Sequence, residues 1–346
     1  MSQVNSRVPA LDASAAAGGA GATRKLARHA ATLRYEQLPP ALVEITKQCI
    51  VDTLAVSIGA STLAPEARLV NEYVTRLGGT QESTILGFGG KAPAPWTVFV
   101  NGSLGHMLDY DDLGASHVSI ATVPVAFAVA EKVGGVSGRD LIAAIACGTD
   151  LQTRLYHGIR IPSWTVSEGW FATQLFGFMA GAATAGRLLG LDEDRMENAL
   201  GIGFNQTSGS RQMAVGTSTH MRSMQAGFSG QGGVLAAELA QMGITGPKEI
   251  VEGRYGYSRI TSATPTRTGM RSSAGSVSGS RSPRRTASRC GRRARIRGRP
   301  TQRLCNCASS TTFVPTMSRA SPSSAAAAAT SCYRSRSSSS ADPGRA

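Results

Sequence analysis

Between Asn101 and His117 the chain gathers side chains that move protons. The run Asn101-Gly-Ser-Leu-Gly-His106-Met-Leu-Asp109-Tyr-Asp111-Asp112 precedes His117, placing three carboxylates and two imidazoles within 12 residues. Such groups, set to different pKa values by their surroundings, are what general acid–base catalysis uses. His106, Asp109 and Asp112 recur every three residues, so a helix end carrying them would place all three on one face. His and Asp also ligate divalent ions, but no spacing here is specific to a metal, and none is expected. The competing use is structural, with Asp as a helix cap and His as a satisfied core side chain.

A second polar stretch, Asn205 to Gly227, is a Gly-rich link between two apolar helices and holds Arg211, His220 and Arg222. A guanidinium grips a carboxylate with two parallel N–H donors, so this stretch could bind an acid substrate. Its plainer reading is a surface loop of solvated cations. A third stretch, Ser167-Glu-Gly-Trp170-Phe171-Ala-Thr173, brings an aromatic pair to a helix start and reads as core rather than site.

The elements that must position these groups are helical. Pro39-Pro40 open a helix whose Leu42, Ile45 and Cys49 fall at i, i+3 and i+7, widened by Val43, Ile50, Leu54 and Ile58. Ala64 to Val74 forms a second, stopped by Gly78-Gly79, and Thr84 to Gly87 reads as a short strand or extended link. Helices are expected from Pro95 to about Asp109 and from Ile120 to Val133. Ser137 is placed to cap Arg139 to His157, with Asp140 at the reciprocal position, and Asp192 to cap Glu193 to Gly203. Ala180 to Gly190 and Ala226 to Gly243 are rich in Ala and Gly, which lets helices approach closely. Pro247 suits a first helical turn before Lys248 to Val251. The expected fold is an all-α, tightly packed helical array.

The chain has 346 residues and a net charge of +14, which would ordinarily point to nucleic acid or an anionic surface. The charge is not evenly spread. Residues 258–346 hold 17 Arg, no Lys and a single acid, Asp342, whereas residues 1–257 carry 19 basic and 21 acidic side chains. The last 89 residues also contain 21 Ser and no apolar periodicity. Arg, Ser, Ala, Pro, Gly and Thr without Lys is what a GC-rich gene yields when read out of frame. Codons can be chosen for Ser258 to Thr266 that, read one nucleotide earlier, give Leu or Phe and then Ala-Tyr-Asn-Gln-Arg-Asp-Ala-Tyr. A frameshift is therefore expected after Tyr257, the alternative being a disordered basic Arg/Ser tail. Three segments follow: a flexible N-terminus at 1–24, a helical domain at 25–257, and the tail at 258–346. Nucleic-acid binding ranks last, since only Phe313 and Tyr333 interleave the tail with aromatics. Cys49 and Cys147 lie in helical patterns as buried thiols, and Cys305-Asn-Cys307 lacks partners for a zinc site. No run of about 18 apolar residues exists and the first 24 residues do not support a secretory signal, so a cytoplasmic protein is expected.

Several segments, taken in order, resemble the MmgE/PrpD family, whose members include 2-methylcitrate dehydratase and cis-aconitate decarboxylase. They are Val51-Asp-Thr-Leu54, Asn101-Gly102 through His106-Met-Leu-Asp109-Tyr-Asp-Asp112, Gly186-Arg-Leu-Leu-Gly-Leu-Asp192, and Gln225-Ala-Gly227 through Leu235 to Gly243. The resemblance covers about residues 25–257. It implies a helical domain that forms a homodimer and packs against a smaller α+β lid, with the site between them. It also implies chemistry without metal or organic cofactor. A base removes a proton beside a carboxylate, and elimination, decarboxylation or epimerisation follows.

Carried over by position, Asp109 and His117 are the expected catalytic pair. Arg222, His220, His106 and Asp112 are expected to bind substrate. Arg222 stands where the family usually has Lys, and Phe171 where many members have His after Gly-aromatic. An Arg binds a carboxylate but does not serve as acid or base. The tail occupies the place of the lid, so little activity is expected of the chain as written. The reading is a lyase of the 2-methylcitrate dehydratase type on a small di- or tricarboxylate. The alternatives are a decarboxylase or epimerase of the same family, or a non-catalytic helical dimer.

Overall fold

A helix whose first residue is proline loses no hydrogen bond, because that N–H would be unpaired anyway. The chain uses this repeatedly: α2 (Pro40–Leu63) and α3 (Pro65–Leu77) begin on proline, and α4 (Ala94–Met107) carries one in its first turn. In this computed structural model residues 21–112, 116–158, 169–214 and 219–260 are described. Before α2 comes α1 (Ala22–Thr32) and a short 3-10 turn (Tyr35–Gln37). After α4 come α5 (Ser119–Val133), α6 (Gly138–Gly158), α7 (Ala172–Leu188), α8 (Glu193–Asn205), α9 (Met221–Gln241) and a final turn, α10 (Tyr257–Ile260). The expected all-α array is what forms, with one two-residue antiparallel ladder between β1 (Ser83–Thr84) and β2 (Lys91–Ala92).

The capping residues act as their sequence contexts predict. Ser137 Oγ accepts from the Asp140 N–H at 3.1 Å and donates back to the Asp140 carboxylate at 2.7 Å. Asp192 accepts from the Arg195 N–H at 2.8 Å. One expectation fails. Residues 247–251 do not start a helix: the chain there bends and turns against α8, with Glu249 at φ 55. The Pro247 carbonyl sits where a Cβ on Gly201 would be, and Lys248 Nζ reaches Asn198 Oδ1 at 2.7 Å.

The largest core joins α7, α8 and α9 through Leu175, Phe176, Met179, Met196, Leu200 and Val234, all fully buried. Tyr257 belongs to it: its ring is fully buried and its hydroxyl donates to the Leu175 carbonyl at 2.7 Å. The two ends of the domain are tied by Thr23, whose hydroxyl donates to Glu252 at 2.6 Å. Among the described residues no helix is long and apolar enough to cross a membrane. Of the tail expected from Ser258, residues 258–260 fall in the last helical turn, and the rest, like almost all of the N-terminal segment, lies outside the described residues.

Two helices set the stage for the polar cluster. Helix α4 is buried through most of its length, and α9 crosses it where Gly102 faces Ala226 and Gly227. That close crossing brings the C-terminal end of α4, with His106, beside the N-terminal end of α9, with Arg222.

Candidate active site

Helix α4 stops at Met107, before the acid run. Leu108 is its C-cap, and Asp109 turns into the left-handed region at φ 55. That conformation is unusual for a residue with a Cβ and signals a backbone held by its neighbours. Here the Asp109 N–H bonds the His106 carbonyl at 3.2 Å, and both carboxylate oxygens are gripped by Arg222, at 2.9 and 3.1 Å. The helical-face pattern expected of His106, Asp109 and Asp112 therefore does not form, because the helix has already ended.

The turn delivers Asp111 instead. Its carboxylate is buried between two imidazoles, with Oδ1 2.9 Å from His106 Nδ1 and Oδ2 2.7 Å from His117 Nδ1. The two rings meet edge to face at 4.7 Å. Asp112 turns the other way, and its oxygens accept from the backbone N–H groups of Ser119 at 3.1 Å and Val118 at 3.4 Å. It thus satisfies the open N-terminus of α5, and the structure gives it a capping contact rather than an open face.

His117 is held from several sides. Its Nδ1 also lies 2.9 Å from the Asp112 carbonyl, and its own carbonyl accepts from Gln152 Nε2 at 3.2 Å. Phe171, just before α7, stacks parallel to the ring at 6.4 Å. Of the residues expected to act, the structure thus brings His106, Asp109, His117 and Arg222 into one cluster. His220, the residue before α9, is exposed and makes no capping hydrogen bond.

The acids divide by environment. Burial raises Asp111, but hydrogen bonds and charge from His106 and His117 outweigh it and hold the carboxyl at about 2. For Asp112, burial and then the Asp111 charge push the carboxyl up to about 6, against the hydrogen bond from Ser119. Burial lowers His117, yet hydrogen bonding and charge from Asp111, with Asp112 and Asp109 behind it, leave it above the ordinary imidazole value.

These directions give a stability prediction. Asp112 holds its proton more tightly folded than unfolded. The folded state is therefore penalised above about pH 6, and regains that free energy as pH falls from 6 toward 4. The raised His117 acts in the same sense, adding stability that is lost as pH rises through its folded value. The Asp112 share is on the order of 2–3 kcal/mol. Asp112→Asn should melt higher than the parent at pH 8 and gain less on acidification to pH 5, as thermal denaturation at the two pH values will read.

His106, Asp109 and His117 offer donor atoms within 4.8 Å of one another, a separation that could admit an ion. The Arg222 fork, however, already satisfies both oxygens of Asp109, so an ion would have to take that carboxylate from the arginine. The arrangement fits proton transfer beside a bound anion better than it fits a metal. Asp111 and Gln152 are site residues that spacing did not single out.

A model of the MmgE/PrpD N-terminal domain matches residues 24–268. Among curated proteins, cis-aconitate decarboxylase of Aspergillus terreus is 28% identical over 244 residues, covering 68% of this chain and 49% of that protein. Cis-aconitate decarboxylase of Homo sapiens is 27% identical over 231 residues, covering 65% and 47%. That of Mus musculus is 27% identical over 232 residues, covering 65% and 46%. The chain spans about half the length of these relatives. With the family model covering most of the described helical domain, the chain belongs to the MmgE/PrpD family.

Proposed function

We propose that the cluster is part of a lyase site for a small di- or tricarboxylate. His117 acts as general acid/base, Asp109 as its charged partner, and Arg222 as the carboxylate anchor. The observation that carries this reading is the Arg222–Asp109 pair. Arg222 holds a carboxylate through two N–H donors, the fork geometry that a substrate carboxylate would take on displacing Asp109 toward His117. The positive end of α9 adds to the attraction.

In such a site the imidazole exchanges a proton with the carbon beside a carboxylate. The electron pair left there, or released by a departing carbon dioxide, is stabilised by the cation. Departure of the neighbouring hydroxyl as water then completes elimination, proton delivery to the carbon that carbon dioxide has left completes decarboxylation, and return of a proton on the opposite face completes epimerisation. The relatives' names make cis-aconitate the first substrate to try, ahead of 2-methylcitrate. The test is binding and turnover of both acids by the 346-residue chain, followed by calorimetry and by NMR of product. Arg222→Ala is expected to weaken binding about 10- to 100-fold, the loss of one charge-assisted fork, with Arg222→Lys in between. Undiminished binding in Arg222→Ala, or no binding of either acid by the parent, would refute the proposal.

We also propose a homodimer through the helical domain. Exposed apolar side chains on α2 and α3, including Val51, Ile58, Leu69 and Tyr73, support it. Sedimentation of Ile58→Glu as a monomer beside a dimeric parent would bear this out.

A further inference from the structure

We infer that Asp111 is a positioning residue, whose one buried carboxylate fixes both His106 and His117 with the proton on Nδ1 and turns Nε2 of His117 into the working atom. The part played by Nε2 toward substrate rests on the lyase reading above; the assignment of the proton does not.

The acceptors around each ring assign its proton. His117 Nδ1 faces Asp111 Oδ2 at 2.7 Å and the Asp112 carbonyl oxygen at 2.9 Å. A carbonyl oxygen and an ionised carboxylate only accept, so Nδ1 must carry the hydrogen. The same holds for His106, whose Nδ1 lies 2.9 Å from Asp111 Oδ1. With Nδ1 protonated, the lone pair of each neutral ring sits on Nε2. The two Nε2 atoms are not equivalent. His106 is fully buried and its Nε2 meets no partner, whereas 12% of the His117 side chain remains open.

Neither other acid of the run can take this role. Asp109 is half exposed and committed to Arg222, and Asp112 is committed to the N–H groups of Val118 and Ser119. The charged and titratable groups around the His117 ring come from several elements. They are His106 from α4, Asp109, Asp111 and Asp112 from the turn, and Arg222 from α9, with Cys49 of α2 close to Asp112. Among the described residues only Asp111 lies within ion-pair distance of both imidazoles, hydrogen-bonded to His106 and in charge contact with His117, whose Nδ1 hydrogen bond goes to the Asp112 carbonyl.

The test uses the full chain labelled with 15N at its five histidines, the two site rings being assigned with His106→Gln and His117→Gln. Long-range proton–nitrogen spectra above the His117 titration read the tautomer of each neutral ring. The expected result is Nδ1–H for both rings in the parent, and a His117 titration midpoint at lower pH in Asp111→Asn. A parent His117 protonated on Nε2, or an unmoved midpoint in Asp111→Asn, overturns the inference. If Asp111→Asn does not fold, the parent spectrum decides alone. Because no turnover is read, failure of the lyase reading would show separately, as an inactive protein with the Nδ1–H tautomer intact.

Discussion

Replacing His117 with Gln should lower whatever turnover of the bound carboxylate the chain retains without a lid by about 10²- to 10⁴-fold, the usual worth of a general acid/base, while substrate binding through Arg222 persists. The reason lies in what surrounds the ring. Its Nδ1 is occupied by acceptors, Phe171 lies parallel to it with ring centroids 6.4 Å apart, and it stands in the same cluster as the Arg222–Asp109 pair. Gln keeps a polar side chain of similar reach but no group that titrates. The pH profile sharpens the test. Since Asp111 and its neighbours raise His117 despite burial, a reaction that needs the neutral ring should gain rate with pH beyond the ordinary imidazole range. That rising limb should vanish in His117→Gln. Solvent-deuterium exchange into substrate, measured from pH 5 to 9 with a thermal melt as the folding check, reads both effects. A variant that exchanges as fast as the parent removes His117 from the mechanism.

Most of the fold was legible because the helices announce their own ends. Proline at the first turn, Asp192 and Ser137 at caps, and Gly78 and Gly134 after the last turn are local signals, and each stands where its chemistry demands. The stretch at Pro247 misled for the opposite reason: proline favours a helix start locally, but here the chain packs on α8 and turns, with Glu249 at φ 55. The site was legible in its residue types and not in its geometry. A helical extrapolation through His106, Asp109 and Asp112 presumes the helix continues, whereas it ends at Met107 and Asp109 enters the left-handed region. The side chain between the two imidazoles is therefore Asp111, which no three-residue spacing selects. Arg222 was found through its type and position, yet its partner across 113 residues depends on the α4–α9 crossing.

That crossing supports a second large prediction. Gly227→Ala should destabilise the domain by about 2 kcal/mol and displace Arg222, although alanine is the better helix former by about 1 kcal/mol. A Cβ on Gly227 would stand 2.4 Å from both the Phe99 carbonyl and Ser103 Oγ of α4. The carbonyl belongs to a buried helix backbone and cannot rotate away, so α9 must move outward. Gly102 leaves no slack on the facing side, for its own Cβ would lie 3.0 Å from the Gly227 nitrogen. Further along α9, Gly233 meets the backbone of α7 in the same way, its Cβ position 2.7 Å from the Gly181 Cα. Gly59 in α2 is the internal control. Its Cβ would meet only Leu108 Cδ1, at 3.6 Å, so Gly59→Ala should raise stability by about 1 kcal/mol through helix propensity alone. The same chemical change is thus expected to carry opposite signs at two helical positions, read as melting temperatures moved down and up. Function should follow geometry more steeply than stability does, because Arg222 lies five residues before Gly227 on the displaced helix. A misplacement of about 1 Å can cost about 100-fold in rate. A Gly227→Ala protein that melts above the parent would show that α4 and α9 yield to one another, and that the site does not depend on their contact.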